Sequence, residues 1–270
     1  MKMFSRIKDK IKRKIKIIKL CHGLYNRFKM VVLLVALRLL RIFGINKRAE
    51  MSFKINFGGQ TFKLFLGSGS DIAVLKEIFI DQEYNTDVKD GEIILDIGSN
   101  IGLASIYFKL KYPRAKIFAF EPAPDTFEVL KKNSEQFSDI KIFNFALGDI
   151  DGAREFYSSD KSSMSGSLIH RPSNQIKIPV AIKKLDSVIR ELNVDHIDIV
   201  KFDIEGSEYS LLKDFKNFSK CKFFIGEIHL DLLSQKIEDF RRLFADNGFD
   251  CSFKKLHNEQ RFIVRASRKF

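Results

Sequence analysis

The feature that most constrains this chain is a short apolar run, Ile93-Ile94-Leu95. It leads directly into Asp96-Ile97-Gly98-Ser99-Asn100-Ile101-Gly102 and then into Leu103, Ile106, Tyr107 and Leu110 at helical spacing. A buried strand, a glycine-bearing turn and a helix in that order form a βα unit. Units of the same kind follow. Lys116–Phe120 reads as a strand before a helix over 125–133, and Ile140–Phe145 as another strand. Leu185–Leu192 reads as a helix, Ile197–Phe202 as a strand and Ser207–Phe215 as a helix. Lys222–Ile228 is again a strand, followed by a helix over Leu232–Asn247. A Ser-rich stretch, Ser158–Asn174, reads as a loop that interrupts this order, and 251–256 with 261–266 as a closing hairpin. Such alternation predicts an α/β fold with a mainly parallel sheet flanked by helices and a binding site at the carboxyl ends of the strands.

Ahead of this body, Phe53, Ile55, Phe57 and Phe62, Leu64, Leu66 alternate on either side of Gly58-Gly59, a small β-hairpin signal. Ser70-Asp71 then reads as the cap of a short helix, Ile72–Phe79. The chain divides on this reading into a helical segment at 1–50, an accessory hairpin and helix at 51–90, and the α/β domain at 91–270. A hydrophobic content of 45% with 27 Phe excludes a wholly disordered chain. Three dispersed cysteines, Cys21, Cys221 and Cys251, argue against a disulfide framework or a zinc ribbon and fit a reducing compartment.

Charge is segregated. Residues 1–50 hold 15 Lys and Arg against Asp9 and Glu50, whereas the rest holds 32 basic and 32 acidic residues out of totals of 47 and 34. A uniformly basic surface over the body therefore loses its main support, and nucleic acid is disfavoured as a partner. Ile7, Ile11, Ile15 and Ile18 make a narrow apolar stripe on a helix otherwise covered by lysines. After Gly23 a greasier helix, about Leu24–Phe43, carries Arg27, Arg38 and Arg41 along one edge. Its uninterrupted apolar run, Met30–Leu37, is shorter than the roughly 18–20 residues that cross a bilayer. The charged stretch is too long for a secretory signal, and no small-residue cleavage site follows. The expectation is an interfacial anchor over residues 1–45 on an anionic membrane surface, placing the protein in the cytoplasm on the inner face of the membrane. The competing reading is a basic arm that packs on the body or binds a partner.

Four strand tips carry chemistry. Asp96 can accept hydrogen bonds from a cationic or amino-bearing ligand, with Gly98 giving the tight turn and Gly102 letting the helix start near the strand. The dinucleotide pattern G-x-G-x-x-G is absent because Asn100 stands at its second glycine, which disfavours a nicotinamide oxidoreductase. Glu121, closing the next strand 25 residues on, suits both ribose hydroxyls of a nucleoside. Asp203-Ile204-Glu205-Gly206-Ser207-Glu208 gathers three carboxylates at a third tip. His229, in Gly226-Glu227-Ile228-His229, is a general-base candidate because its ordinary pKa lies near neutrality. No metal is required by this pattern, although Asp203 and its neighbours are oxygen ligands of the kind hard cations take.

The unit Asp96-x-Gly98-x-Asn100-x-Gly102 with Glu121-Pro122 resembles that of class I, Rossmann-like methyltransferases that use S-adenosyl-L-methionine. With Ala146-Leu147-Gly148-Asp149, Leu185-Asp186, Lys201-x-Asp203-x-Glu205-Gly206-x-Glu208 and Glu227-x-His229, the set resembles the FkbM family over about residues 75–245. That resemblance implies O-methylation, often of sugar hydroxyls. It implies that Asp96, Gly98, Asn100 and Gly102 hold the methionine portion of the cofactor, Glu121 the ribose, and Asp149 approaches the adenine. Asp203 and Glu205 would face the transferred methyl, with Asp203, Glu205 or His229 as base. Ser162, Ser163, Ser165 and Ser167 would line an acceptor-side lid. The expected acceptor is a saccharide or glycolipid. The alternatives are an RNA or protein methyltransferase that uses the basic arm, weakened by the lack of a D/N-P-P-Y/F motif, and a non-catalytic membrane adaptor.

Overall fold

The computed structural model describes residues 2–43, 50–159, 162–169, 176–256 and 258–269, with side chains left undescribed at 2–10, 158–159 and 162–165. The chain forms two compact units, residues 1–83 with 161–164, and residues 84–160 with 165–270.

The first unit opens with α1 (Lys2–Leu20) and α2 (Gly23–Ile42), followed by the hairpin β1 (Met51–Phe57) and β2 (Gln60–Leu66) and by α3 (Gly69–Phe79). Gly58 and Gly59 both adopt positive φ, the conformation this two-residue turn requires. The hairpin's inward residues Phe53, Ile55, Leu64 and Leu66 are buried, and so are Ile17, Cys21, Met30 and Leu33 of the helical segment. Asn26 Oδ1 accepts from Lys54 N at 3.0 Å, and Lys29 Nζ donates to Ser52 O at 2.6 Å. Met30 and Leu33 are the buried residues of α2, whereas its Leu24, Phe28 and Ile42, and Phe43 just beyond it, are all more than 65% exposed. No helix among the described residues is long and apolar enough to cross a membrane. The cap of α3 is Ser68 rather than Ser70-Asp71. Ser68 Oγ accepts from Asp71 N, and Asp71 returns the bond to Ser68 N, a reciprocal capping pair.

In the second unit, β3 (Ile93–Ile97), α4 (Leu103–Lys111), β4 (Lys116–Phe120), α5 (Pro124–Ser134) and β5 (Ile140–Phe143) continue the chain. Next come β6 (Ala146–Gly148), β7 (Gly152–Ser159), β8 (Ser162–Ser167), β9 (Ile176–Lys184) and α6 (Leu185–Leu192). The chain ends with β10 (Ile197–Phe202), α7 (Glu208–Lys213), β11 (Cys221–His229), α8 (Ile237–Asp246), β12 (Phe249–Lys255) and β13 (Arg261–Arg268). Seven strands form one sheet in the order β12-β13-β11-β10-β3-β4-β5, with β10, β3, β4, β5 and β11 parallel and β13 antiparallel to both neighbours. All six residues of β10 are buried, as expected of a central parallel strand covered on both faces. Helix α4 is buried from Leu103 through Leu110, including Lys109, whose ammonium reaches Pro113 O, Ala115 O and Asp139. Phenylalanines fill much of the core, as where Phe218, Phe224, Phe244 and Phe249 stack edge-on and tilted around one another.

Three expectations change. The Ser-rich segment is not simply a loop: β7 runs through Ser159 and Ser162–Ser167 forms β8 of a four-stranded sheet, β6-β9-β7-β8. Serines supply no alternating apolar face, so the backbone ladder that organises them leaves no periodic signature. Residues 160–161 and 170–175 of that stretch lie outside the described residues. The strand expected over Ile140–Phe145 ends at Phe143, and Asn144 Nδ2 turns back to the carbonyls of Glu121 and Pro122. The helix expected from Leu232 starts at Ile237, where Asp239 Oδ2 accepts from Lys236 N at 2.8 Å, after a 3-10 turn at Leu230–Leu232.

Candidate active site

Parallel register brings the functional residues together. Asp96 and Lys201 are partners across β3 and β10. Both are buried, with Lys201 Nζ 2.9 Å from Asp96 Oδ1 and 2.8 Å from Gly98 O, and Ser105 Oγ donates to Asp96 Oδ2 at 2.6 Å. The carboxylate read from the sequence as an acceptor for a cationic or amino-bearing ligand is thus ion-paired to a lysine of the chain itself. Held this way, it fixes the end of β3 and the turn after it. Gly98 (φ +73°) is required by the neighbouring strand: a Cβ there would stand 2.0 Å from Asp203 O. Gly102 (φ +87°) starts α4, and a Cβ there would meet Leu130 at 2.7 Å. Asn100 between them also takes positive φ.

Glu121, 7% exposed, closes β4 and binds this same turn. Its Oε2 accepts from Asn100 N and its Oε1 from Ala123 N, each at 2.9 Å. Burial pushes its pKa up to about 7, against the opposing pull of the two backbone amides. Each oxygen keeps a second lone pair for hydroxyl donors. Asn100 Oδ1 and Asp149 Oδ1 are shielded from solvent without a hydrogen bond, although Arg154 lies 3.2 Å from the latter as an ion partner. Acceptors left open in this way suit a ligand bearing hydroxyl, amino and cationic groups.

The third and fourth tips converge. Ligand atoms of Asp203, Glu205 and His229 all lie within 4.8 Å of one another. Asp203 and Glu205 are partly exposed, whereas His229 and Glu208 are buried. Glu208 accepts from Gly206 N at 2.9 Å and meets His229 Nδ1 at 2.8 Å, so the first-turn acid of α7 orients the histidine. His229 Nε2 faces Glu227 at 3.3 Å, Glu205 at 3.5 Å and Asp203 at 3.8 Å. Burial by itself would lower the histidine's pKa, but the surrounding carboxylates of Glu208, Glu227 and Asp203 reverse that and raise it well above its ordinary value. Glu205 sits at positive φ, with its carbonyl held by Ser167 Oγ at 2.7 Å. A non-glycine residue kept there by its surroundings is a mark of a functional loop.

Several contributors went unread in the sequence. Arg261, opposite His229 in the β11–β13 register, lies 3.7 Å from Glu227, 3.9 Å from Glu205 and 3.2 Å from Asp231. Tyr84 donates toward Asp203 Oδ2 at 3.4 Å, and its ring lies under Lys201, 5.5 Å from the ammonium. Neither sits in a motif; the β11–β13 register places Arg261, while Tyr84 lies in a turn outside every strand. Ser167 was named for the expected lid. The side chains of Ser162, Ser163 and Ser165 fall outside the described residues.

A seven-stranded sheet with its penultimate edge strand reversed, an acid-flanked glycine turn after β3 and an acid at the tip of β4 define a class I methyltransferase. Residues 96–251 match the family described as the methyltransferase FkbM domain, and the chain belongs to that family. It is an O-methyltransferase whose cofactor is S-adenosyl-L-methionine. Among its relatives, Methyltransferase 1 of Beauveria bassiana is 32% identical over 72% of this chain and 81% of its own length. Methyltransferase sdnD of Sordaria araneosa is 30% identical over 66% and 82%. The hexuronic acid methyltransferase AglP of Haloferax volcanii is 27% identical over 66% and 72%. The fold resembles the crystal structure of methyltransferase FkbM from Methylobacillus flagellatus, with TM-score 0.51 and 12% identity over 97% of this chain and 60% of that one.

Proposed function

We propose that this O-methyltransferase acts on a saccharide hydroxyl, of a free or lipid-linked glycan, at the cytoplasmic surface of a membrane. The observation that carries the reading is the wall formed by Asp203, Glu205 and Glu227 around His229, with Arg261 behind it. Carboxylates accept hydrogen bonds from hydroxyls and repel a polyanionic backbone, so the wall favours a sugar over RNA. One relative is named a hexuronic acid methyltransferase, which supports a sugar, and another, NoeI of Sinorhizobium fredii, is named a 2-O-methyltransferase, which supports a hydroxyl acceptor.

Asn100, Asp149 and Glu121 supply acceptors for the cofactor's polar groups, while Asp96, Gly98 and Gly102 shape the turn that presents them. S-adenosyl-L-methionine, when bound, supplies an electrophilic methyl on sulfur. The chain's own residues hold the acceptor hydroxyl and relieve it of its proton. Asp203 and Glu205, partly exposed, reach the hydroxyl, and His229 is set behind them by Glu208. Orientation supplies much of the rate, and proton removal typically a further ~10²–10⁴-fold.

The membrane part rests on the first unit. Water-facing apolar residues of α2 and the excess of Lys and Arg before residue 50 combine the two attractions that hold a helix at an anionic interface. Mass analysis of surface glycans from cells with and without the protein tests the acceptor. A one-methyl difference confined to a sugar is expected, and the same difference on RNA alone would overturn the reading.

A further inference from the structure

We propose that Asp203, Glu205 and His229 Nε2 form a binding site for a divalent metal ion, with Glu208 as the residue that positions the histidine. The inference deepens the reading of this cluster as the acceptor site and rests on it.

His229 carries the argument. It is 1% exposed, and its Nδ1 is engaged by Glu208 at 2.8 Å. Its Nε2 is shielded from solvent and makes no hydrogen bond, although three carboxylates lie within 3.8 Å of it. An imidazole nitrogen and carboxylate oxygens stand that close only with a positive centre between them, either a proton on Nε2 or a metal ion in its place. A histidine with one ring nitrogen on a buried carboxylate and the other aimed at oxygen ligands is the usual arrangement at a metal. Ions of this kind bind N and O donors at about 2.0–2.3 Å, so ligand atoms around one ion stand about 3–4.5 Å apart. The three ligand atoms here, all within 4.8 Å of one another, match that spacing.

Charge and access agree with geometry. Asp203, Glu205, Glu208 and Glu227 converge on His229, and the guanidinium that approaches them, Arg261, also pairs with Asp231. The Asp203 side chain is 31% exposed and that of Glu205 15%, so an ion there would keep open positions for a substrate oxygen, as catalytic sites do. Two hard carboxylates with one imidazole suit Mn²⁺ better than a soft thiophilic ion. An ion holding the acceptor hydroxyl would lower its pKa and fix it for attack, which is a role for Asp203 and Glu205 distinct from that of a bare base.

The test is Mn²⁺ binding to the full chain stripped with chelator, read by loss of the free-ion electron paramagnetic resonance signal. S-adenosyl-L-methionine binding is measured by calorimetry on the same samples. One Mn²⁺ per chain is expected, weakened about 10–100-fold in Glu208→Gln and at least as much in Glu205→Gln. Cofactor binding should persist in both variants, which shows that they fold. Cofactor binding without Mn²⁺ binding below ~1 mM overturns the metal site and leaves the methyltransferase reading standing. Equal Mn²⁺ affinity in wild type and both variants also overturns it. Loss of cofactor binding by the wild-type chain would instead strike the methyltransferase reading itself.

Discussion

The two units of this chain break the inside–outside rule in opposite directions. In the second, Asp96, Lys201, Glu121, Glu208 and His229 are all buried, and each has a named polar or ionic partner. In the first, Leu24, Phe28, Ile42 and Phe43 lie in water. A buried charge persists only where its partners are fixed around it, because the cost of burying it unpaired is several kcal/mol. An exposed apolar face needs no internal partner, and its burial is deferred until another surface arrives. Under the proposed function, the first exception lies where the acceptor is held and the second where the chain would meet a membrane surface. Substitutions in the two units should therefore fail differently: those in the second should alter turnover or folding, and those on α2 should alter location alone.

The largest effect is expected from Asp203→Asn. Turnover should fall about 10²–10⁴-fold with calorimetric cofactor affinity nearly unchanged. A matching loss of cofactor affinity would mean that the third tip serves the cofactor instead of the acceptor. Gly98→Ala comes next. Its Cβ would overlap Asp203 O at 2.0 Å on backbone of positive φ, so unfolding free energy should drop by about 2–4 kcal/mol in denaturant titration.

Glu121 supplies a pH test. Because burial raises its pKa from 4.5 to about 7, the folded state holds a proton there that the unfolded chain has already released. Stability from this group is present below about pH 4.5 and is lost as pH rises through about 7. Glu121→Gln should flatten that decline, a difference of about 3 kcal/mol between the two ends seen in paired denaturation curves. Parallel curves for the two proteins would show that the carboxyl is not strained by burial. Cofactor affinity should run the other way, rising with pH in the wild type, because the ionised carboxylate is the better acceptor for ribose hydroxyls.

Sharpening the contrast from the other side, Phe28→Ser with Ile42→Ser should weaken binding to anionic vesicles roughly 100-fold or more, since each substitution removes ~1.5–3 kcal/mol of burial in the interface. Turnover on a soluble acceptor should be unchanged, and stability should shift by no more than about 0.5 kcal/mol. Unaltered vesicle binding would assign that face to a protein partner. The smallest effect is expected from Ser167→Ala, which removes the hydroxyl on Glu205 O. It should lower stability by about 0.5–1.5 kcal/mol and turnover several-fold.

Much of the second unit was legible in the sequence because its signals are local. Ile93-Ile94-Leu95 is apolar throughout, as a strand covered on both faces must be, and glycines punctuate the turn that follows. Asp96, Glu121, Asp203 and His229 could be placed at strand ends because strands and turns are read from neighbours in sequence. The β7–β8 and β9 region was not legible in the same way. Its strands are serine-rich or partly exposed, and ladder hydrogen bonds belong to every residue alike. Nor could the sequence show that Gly98 makes room for Asp203 O, 105 residues away.

What the sequence determined by itself was the order of βα units, the acids at their tips and the separation of a basic, amphipathic segment from a neutral body. These follow from spacing and composition, which a linear chain displays directly. Only the tertiary structure decided which of those acids are neutralised and which are left facing one another. Strand order placed Lys201 beside Asp96, Glu208 behind His229 and Arg261 across from it. A charge's behaviour depends on what lies within a few ångströms, and that distance is set by folding, not by position along the chain.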